Sequence, residues 1–325
     1  MKVIDLTLAI CIYNTELYIV ETLQSVMQQT MQDFYLLIVN DCSTDESVKI
    51  VKQFFTEHSR QYELVDLKKN QGICYARHFA ERYATTTYMM FLDADDILKP
   101  TAIETMYKKI ISDNDLMAVG CYLEYINEKG EKIGGGLFLG EITKERFYEK
   151  AKNKKLIFMQ PTAIYDRKLA LSVGGYHIDG FPEGKPRYQD YCEDLDLWTR
   201  MSDLYNNGKA IVVVPKVLCS YRKGGGLSSS TFNMIVKMHY TKTNLLRRRN
   251  GEKELTFIEF YNNLSTTELR KYKRDAKAAD TLRNGVFYLK QKKFLKAMKL
   301  ILQSICYKPS YIFDKLKHNF KISIQ

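Results

Sequence analysis

Three closely spaced aspartates after a short apolar segment are the residues of this chain best suited to chemistry. The segment is Tyr88–Asp96, read Tyr-Met-Met-Phe-Leu-Asp-Ala-Asp-Asp, so Asp93, Asp95 and Asp96 stand where a buried strand would end. Like charges are costly to bury together unless a cation compensates them. Oxygen-only ligands suit Mg²⁺ or Mn²⁺, which commonly bridge protein carboxylates to phosphates. The cluster therefore predicts a divalent-metal site, and the alternative is a solvated aspartate-rich turn with a helix cap.

Polar clusters also follow three other segments that are typical of strands. The three segments are Leu6–Ile12, Tyr35–Val39 and Tyr62–Leu67. Tyr13-Asn14 follows the first, Asp41-Cys42-Ser43 follows the second, and the loop leading to Arg77 follows the third. Helical segments alternate with these strands, so we expect parallel βαβ units with helices on both faces of the sheet. Ligands of such sheets bind beyond the carboxyl ends of the strands, which predicts that the four clusters converge. The absence of a Gly-x-Gly-x-x-Gly or Walker loop here argues against dehydrogenases and P-loop ATPases.

Local patterns specify the elements that must position these groups. The segment Glu16–Gln29 predicts a helix whose apolar stripe is formed by Leu17, Val20, Leu23, Val26 and Met27. Ser43 followed by Glu46 fits a capping box at the start of a second helix. Glu193-Asp194 begins a later helical segment, where acidic side chains favour the helix dipole. A capping role is therefore the alternative to a catalytic role for that pair.

Composition and cysteine usage restrict the class of protein. The 325 residues are 45% hydrophobic and 12% aromatic, which indicates a folded globule with one large core or two modest ones. No apolar run approaches the roughly 18 residues of a membrane span, and no signal peptide is visible. The seven cysteines are scattered and never spaced Cys-x-x-Cys. We therefore expect reduced thiols in a cytoplasmic protein rather than a disulfide framework or a zinc site.

Positive charge is concentrated near the carboxyl end. Residues 242–325, called the basic tail below, hold 20 Lys and Arg against 7 Asp and Glu, so the first 241 residues carry a net charge of −2. This asymmetry indicates contact with anions such as a membrane surface, nucleic acid or acidic glycan, and the alternative is a solvated helical face. The spacing in Asn284–Pro309 resembles one tetratricopeptide hairpin, which could not bury its own face. It also fits an interfacial helix with Phe294, Met298 and Leu302 on one side. We favour a helical accessory domain whose cationic surface contacts anionic lipid at the inner face of the cell membrane.

The chain divides near a flexible segment. Lys223–Ser230 reads Lys-Gly-Gly-Gly-Leu-Ser-Ser-Ser, a composition typical of a mobile loop or domain boundary. We predict a catalytic domain over residues 1–228, with a nucleotide half of about 1–100 and an acceptor half of about 101–228. Residues 229–325 would form the basic helical accessory domain.

With its motifs placed, the chain resembles an inverting family 2 glycosyltransferase of the GT-A fold, of the type that builds bacterial surface polysaccharide or lipooligosaccharide. The resemblance runs from about Leu6 to Ser228. The motifs that carry it are Leu8–Asn14, Asn40–Asp45 (Asn-Asp-Cys-Ser-Thr-Asp), Asn70–Arg77 (Asn-x-Gly-x-x-x-Ala-Arg), Asp93-Ala94-Asp95 and Glu193-Asp194. The implied fold is α/β: a Rossmann-like nucleotide-sugar domain with a mostly parallel central sheet, plus a carboxyl-terminal α-helical domain.

The resemblance also implies a role for each matched residue. Cys11, Tyr13 and Asp41 would hold the nucleobase, with Tyr13 stacking and Asp41 accepting from a base N–H. Arg77 would reach the base and diphosphate, Asp93 would bind ribose or a metal-bound water, and Asp95 would ligate Mn²⁺ or Mg²⁺. Asp194 would be the catalytic base, and Glu193 would place the acceptor.

The chain departs from the family pattern at several positions, among them His78 and Ala80, which stand where Asn and Gly often follow the Arg. Asn40 replaces an aspartate and Cys42 replaces a glycine. Lys223 follows Tyr221-Arg222, where the family often has a metal-binding histidine, so the metal would depend on Asp95, diphosphate and water, or Lys223 would assist the leaving group.

The implied activity is that of a hexosyltransferase that moves a sugar with inversion and metal assistance to a glycan or lipid-linked acceptor. A UDP-sugar is the favoured donor. A sugar nucleotidyltransferase is an alternative, although it should carry a Gly- and Lys-rich loop where Tyr13-Asn14-Thr15-Glu16 stands. A nucleic-acid-binding protein that uses the basic tail is another, but the helical spacing of its aromatic residues favours a core role. We therefore expect no nucleic-acid partner, and the sequence does not specify an oligomeric state.

Overall fold

The computed structural model describes residues 5–224, 230–290 and 292–311. The strands within them are β1 (Leu6–Ile12), β2 (Tyr35–Asn40), β3 (Glu63–Asp66), β4 (Tyr88–Asp93), β5 (Ile97–Leu98), β6 (Leu116–Ile126), β7 (Lys132–Leu137), β8 (Ile164–Asp166) and β9 (Ala210–Arg222). The helices are α1 (Ile19–Met27), α2 (Ser47–His58), α3 (Ile73–Tyr83), α4 (Ala102–Ile111), α5 (Lys144–Lys152), α6 (Arg167–Ser172), α7 (Glu193–Met201), α8 (Thr231–Arg249), α9 (Phe257–Asn262), α10 (Thr266–Lys290) and α11 (Phe294–Tyr307).

One mixed sheet joins all the strands in the order β3-β2-β1-β4-β8-β6-β9-β5, with β7 paired to β6. The amino-terminal half, β3-β2-β1-β4, is entirely parallel. The long β6–β9 ladder is parallel too, whereas the ladders that involve β5, β7 and β8 are short and antiparallel. Every residue of β1 is buried, because helices cover both faces of this central strand. The sheet is therefore mostly parallel, as the sequence predicts.

The sheet is curled, so that β5, the last strand of the order, begins only a few residues after the central strand β4. β5 follows β4 after the turn Ala94–Asp96, yet β5 pairs with β9 at the far end of the sheet. Arg222, at the end of β9, donates its backbone N–H to Asp96 Oδ1 over 2.9 Å and its Nε to the Asp95 carbonyl over 2.8 Å. The aspartate turn is thus held both by β4, which it follows, and by Arg222 of β9.

Helix α1 uses a different apolar stripe from the predicted one. It begins at Ile19, and Ile19, Leu23 and Val26 are its buried apolar residues. Leu17 precedes the helix and is 77% exposed, while Val20 is 37% exposed. The helix is rotated about its axis relative to the predicted one. Residues at positions 19, 23 and 26 share the side that faces the core, and Val20 lies on another side of the helix.

A second, largely aromatic core lies under the carboxyl-terminal helices. Tyr188 and Tyr191, from the segment before α7, pack in it with residues of α8, α9 and α10. The α8, α9 and α10 members are Val236, Tyr240, Phe257, Phe260 and Tyr272. Helices α8 and α9 are therefore packed directly on the segment that leads into α7. The predicted domain boundary at residue 228 lies outside the described residues.

Helices α10 and α11 form the hairpin that the basic tail predicts. Gly285 permits their close approach, since a Cβ there would come within 2.8 Å of Ile301 Cγ1. Ser304 Oγ donates to the Ala278 carbonyl over 2.8 Å and fixes the register. Among the helices of the described segments, none combines the length and apolar character needed to cross a membrane.

Candidate active site at the carboxyl edge of the parallel strands

The polar clusters converge at the carboxyl ends of β1, β2 and β4. Cys11 on β1 pairs with Val39 on one side and with Asp93 on the other, so the ends of three parallel strands are in register. Asp41 directly follows β2, and its backbone N–H donates to the Ile12 carbonyl over 2.9 Å. The topology expected from the sequence thus brings Cys11, Asp41 and Asp93 together.

Asp41 holds the loop that precedes α3. Its Oδ1 accepts from the Gln71 backbone N–H over 2.9 Å, and its Oδ2 accepts from the Gly72 N–H over 2.7 Å and Asn70 Nδ2 over 2.9 Å. Burial raises the pKa of this carboxyl group, and the two backbone hydrogen bonds oppose that shift. A carboxylate has about four lone-pair positions, so one of those on Oδ1 is left for a ligand.

The turn after β2 is joined to the turn after β1 rather than capping α2. The Asn14 N–H donates to Ser43 Oγ over 3.2 Å, and Asn14 Oδ1 accepts from the Thr44 N–H over 2.8 Å. The Ser43–Glu46 capping box is therefore a wrong prediction: α2 begins at Ser47, whose N–H donates to Asp45 Oδ1 over 3.0 Å. Ser43 Oγ accepts from the distant Asn14 N–H instead of capping the first turn of α2. Tyr13 stands beside this turn with 45% of its surface exposed.

Cys42 adopts a left-handed backbone conformation, with φ of +63°. The Cβ of an L-residue is disfavoured there, which gives a physical reason for the glycine that the family has at this position. A cysteine in this conformation carries some cost in backbone energy.

Arg77 is buried between two carboxylates that are far apart in sequence. Its Nη2 lies 2.5 Å from Asp93 Oδ1 and its Nη1 lies 2.7 Å from Glu193 Oε1. Burial opposes the charged form, but the two carboxylates outweigh it and raise the pKa of Arg77 further. The rings of Phe91 and Tyr176 lie 5.6 and 5.9 Å from the guanidinium carbon. These two ion pairs use two of the five N–H donors of the guanidinium, and the predicted contact of Arg77 with base and diphosphate stays a prediction.

The three aspartates after β4 have different environments. Asp93 pairs with Arg77, whereas Asp96 is buried and accepts from the Arg222 N–H. Burial, with the charge of Asp93, raises the pKa of Asp95 to about 6. Burial and both neighbouring carboxylates raise the pKa of Asp96 well above its usual range. Asp95 is partly exposed whereas Asp96 is buried, so a cation could reach Asp95 most directly.

These carboxylates suit a divalent metal that also binds substrate. Within the described residues, no three His, Cys, Asp or Glu side chains are grouped so that they could hold a metal ion by themselves. Sites for Mg²⁺ or Mn²⁺ often use one or two carboxylates and complete the shell with phosphate oxygens and water. Asp95, whose ionised form is disfavoured by burial and by the charge of Asp93, and the partly exposed Asp93 beside it fit such a shared site.

Glu193 and Asp194 form the first turn of α7 and face inward. Burial raises the pKa of Glu193 to about 8, with Arg77 opposing the shift and Asp194 adding to it. Burial also raises the pKa of Asp194, and Arg77 again opposes the shift. No side chain caps α7, since Cys192 at its N-cap makes no capping hydrogen bond. Arg77 joins Glu193 to Asp93, which a simple capping role would not require.

Several residues near the site escaped the sequence reasoning. Asp190 is buried three residues before Glu193 and accepts from the Cys74 N–H over 3.1 Å. Tyr176 is fully buried over Arg77, and its hydroxyl has no hydrogen-bond partner among the described residues. Arg222 is buried and pins the aspartate turn. An isolated Asp, Tyr or Arg in a loop carries no local signal of such contacts. Lys223, proposed as a leaving-group contact, lies over the rings of Tyr125 and Tyr221, 4.4 and 5.1 Å from their centres.

Comparisons with known proteins agree with this geometry. An uncharacterized glycosyltransferase of Haemophilus influenzae is 27% identical over 227 residues, which are 69% of this chain and 67% of the relative. The teichoic acid poly(glycerol phosphate) polymerase of Staphylococcus epidermidis is 41% identical over 113 residues, 35% of this chain but only 16% of that much longer protein.

Solved structures share the fold at low identity. Staphylococcus aureus TarS 1-349 in complex with UDP-GlcNAc superposes with a TM-score of 0.55 at 19% identity, over 95% of this chain and 92% of that chain. The mannosyltransferase PcManGT of Pyrobaculum calidifontis, in complex with GDP-Man and Mn²⁺, gives 0.54 at 17% identity, over 96% and 88%. The GT-A-like fold expected from the sequence is confirmed.

The family model described as glycosyl transferase family 2 matches residues 7–173, just over half of the chain. The matched region includes β1 to β4, the aspartate turn and Arg77. The protein is therefore a glycosyltransferase and belongs to glycosyl transferase family 2.

Proposed function

We propose that this glycosyltransferase moves a sugar from a nucleoside diphosphate donor, most favourably a UDP-sugar, to an acceptor hydroxyl with inversion and metal assistance. The observation that carries the proposal is the ion-pair chain Asp93–Arg77–Glu193. It places the acidic turn after β4 next to the buried acidic pair of α7, so a donor and an acceptor could meet between them. Neither alternative from the sequence, a sugar nucleotidyltransferase or a nucleic-acid-binding protein, gains support from this arrangement.

The donor end is formed by the strand ends. Cys11 lies between Asp41 and Asp93, and Tyr13 is exposed beside them. We assign the nucleobase to Cys11, Tyr13 and Asp41, and the ribose or a metal-bound water to Asp93. UDP-GlcNAc in TarS and GDP-Man in PcManGT are ligands of proteins that share the fold, and they support the donor class only.

Asp95, with Asp93, would hold Mn²⁺ or Mg²⁺ together with diphosphate oxygens. When bound, the metal would supply a Lewis acid that neutralises charge developing on the leaving diphosphate. Metal binding would also favour the ionised form of Asp95, whose pKa is raised in its absence.

The acceptor end is formed by α7. Asp194 would take the proton of the acceptor hydroxyl, and Glu193 would hold the acceptor while tied to Arg77. A general base must lie within about 3 Å of the proton that it removes. Burial raises the pKa of both carboxyl groups, which moves a carboxylate toward the basicity that such a step needs. One in-line attack by the acceptor inverts the anomeric carbon and requires no nucleophile from the enzyme.

The direct test is donor turnover across UDP-, GDP- and dTDP-sugars with Mn²⁺, in the wild type and in Asp95→Ala and Asp194→Ala. We expect turnover with one donor class and its loss in both variants. Asp113→Ala is the matched control, because Asp113 pairs with Lys144 at the surface of the acceptor half. Full activity of Asp95→Ala or Asp194→Ala would contradict the role assigned to that residue, and no turnover with any donor would contradict the proposal.

We also propose that residues 229–325 form an accessory domain that contacts anionic lipid, where a lipid-linked glycan acceptor for surface polysaccharide would be presented. The support is α11, whose solvent side is apolar: Phe294 is 63% exposed, Leu295 81% and Met298 56%, with Leu302 and Ile305 on the same face. Residues 281–311 hold seven Lys or Arg and no Asp or Glu. An exposed apolar stripe within an exclusively cationic segment suits the interface of an anionic bilayer.

Vesicle binding tests this surface. We expect sedimentation with phosphatidylglycerol vesicles but not with phosphatidylcholine vesicles, and at least tenfold weaker binding by Leu295→Ser/Met298→Ser. Each buried apolar side chain contributes about 1.5–3 kcal/mol, so the double variant should show a clear loss. Ile142→Ser, at an exposed apolar residue of the catalytic part, is the control. Equal binding by the double variant, or self-association through this face without vesicle binding, would contradict the assignment.

A further inference from the structure

The loop Asn70–Cys74 is held between two buried aspartates from different parts of the chain. Asp41, after β2, accepts from the Gln71 and Gly72 backbone N–H groups on one side. Asp190 lies on the other side and accepts from the Cys74 N–H, at the first turn of α3, over 3.1 Å. Gly72 fits between them with φ of +94°, and a Cβ there would come within 2.2 Å of Asp190 Oδ2. The glycine of the Asn-x-Gly motif is thus required by Asp190.

Arg187 extends this contact to Asp41 itself. Its Nη2 donates to Asn70 Oδ1 over 2.7 Å, and Asn70 Nδ2 donates in turn to Asp41 Oδ2 over 2.9 Å. Arg187 Nε also lies 3.5 Å from Asp190 Oδ2. A continuous polar path therefore runs from the segment before α7 to the aspartate assigned to the nucleobase.

The carboxyl-terminal helices hold the segment that carries Arg187 and Asp190. Arg187 is followed by the 3-10 turn Tyr188–Asp190, and the Tyr188 ring stacks on Phe257 of α9 with 4.7 Å between ring centroids. Tyr188 is 1% exposed in the second core. The same segment ends three residues before Glu193, so one short segment contacts the loop Asn70–Cys74, leads into α7 and packs on the carboxyl-terminal helices.

We propose that Arg187 and Asp190 are positioning residues which, from the acceptor side, fix the loop Asn70–Cys74 in the form that lets Asp41 bind the donor base. The inference rests on the proposed nucleotide-sugar function. Donor affinity would then depend on a segment that lies outside the residues matched by the family model, which end at 173.

The test is UDP binding by calorimetry with Mn²⁺ present and no acceptor. Arg187→Gln should raise the Kd for UDP about tenfold, a loss of about 1.4 kcal/mol, and Arg187→Lys should recover part of it. Asp190→Asn should weaken UDP binding by a similar factor. Lys185→Gln is the matched control: it removes an equal charge two residues away, where the ammonium group lies 5.9 Å from the Tyr261 ring centre, and it should change the Kd less than twofold.

Turnover separates positioning from chemistry. Arg187→Gln should raise the donor KM about tenfold and leave kcat within about threefold of wild type, because neither residue touches the reacting atoms. Wild-type Kd and KM in a folded Arg187→Gln protein would overturn the inference. If Asp190→Asn does not fold, Arg187→Gln still tests the inference. The Arg187 side chain is 38% exposed, so its replacement should leave the protein folded.

Failure of the proposed function has a different signature. A wild-type enzyme that binds no UDP or other nucleotide would refute that function. Amide hydrogen exchange of Gln71–Cys74 would still test the contacts, which predict faster exchange in Arg187→Gln than in Lys185→Gln. Equal exchange in the two variants would overturn the inference in that case.

Discussion

The two sides of the candidate site use acidic residues in opposite ways. On the donor side, Asp41 accepts three hydrogen bonds at a strand end, and Asp93 and Asp95 are only partly buried. On the acceptor side, Glu193 and Asp194 are partly buried as well, and they begin helix α7 beside Arg77. Arg77 binds one acid from each side. The difference teaches that hydrogen bonds from a neighbouring loop hold Asp41 at its strand end, whereas Glu193 is paired with an arginine that also binds an acid of the other side.

The largest expected effect separates binding from chemistry. Asp194→Asn should reduce transfer about 10²–10⁴-fold, the usual contribution of a general base, while UDP and Mn²⁺ still bind. Asp95→Asn should instead weaken Mn²⁺-dependent UDP binding. Transfer rates and calorimetric titrations of both variants measure the contrast. Equal loss of nucleotide binding in the two variants would remove the distinction between donor side and acceptor side.

The next effect concerns the arginine shared by both sides. Arg77→Met should lower the free energy of unfolding by about 3–5 kcal/mol, because it leaves Asp93 and Glu193 without their buried partner. Urea unfolding measures the change. Arg82→Met is the control on the same helix: its 42% exposed guanidinium lies 3.7 Å from Glu81, which keeps its hydrogen bonds from Tyr165 Oη and the Tyr176 N–H, so the loss should be about 1 kcal/mol or less. Similar losses in both variants would mean that Arg77 does not bridge the two sides.

The third effect is a pH dependence of stability, which tests whether burial raises the pKa of Glu193 at the start of α7. The pKa of Glu193 is raised in the folded protein to about 8, so ionisation costs more when folded than when unfolded. Its contribution to stability is present below about pH 4.5 and is lost as the pH rises toward 8. Glu193→Gln should therefore gain stability relative to wild type between pH 5 and 8.5, by at least about 1 kcal/mol.

Urea unfolding of both proteins across that pH range measures this third effect. An unchanging stability difference between Glu193→Gln and wild type would show that Glu193 titrates normally.

The smallest effect is expected at two cysteines whose backbone adopts the left-handed conformation. Cys42 lies on the donor side and Cys192 on the acceptor side. Cys42 (φ +63°) is partly exposed, so Cys42→Gly should raise stability by up to about 1 kcal/mol by relieving the backbone. Cys192 (φ +53°) has a desolvated thiol that donates to the Met234 carbonyl over 3.9 Å. Cys192→Gly should therefore show no net gain. Thermal unfolding measures both, and equal gains would contradict the difference in packing.

Sequence alone predicted the donor side better than the acceptor side. Asp93 and Asp41 follow continuous apolar strands, and the βαβ order places such residues at one edge. The contacts of Arg77 with Glu193 and of Asp190 with Cys74 span 116 residues each. No local pattern encodes such pairs. The capping box at Ser43 failed for the same reason, since Asn14, 29 residues away, binds the serine hydroxyl.

The curl of the sheet has a consequence for the order in which the enzyme becomes competent. Asp96 receives its backbone donor from Arg222, 126 residues later, so the acidic turn is completed only when β9 docks. Closing so long a loop is entropically costly and belongs to the late steps of folding. A nascent chain that has not yet released β9 from the ribosome would lack this support for its aspartates.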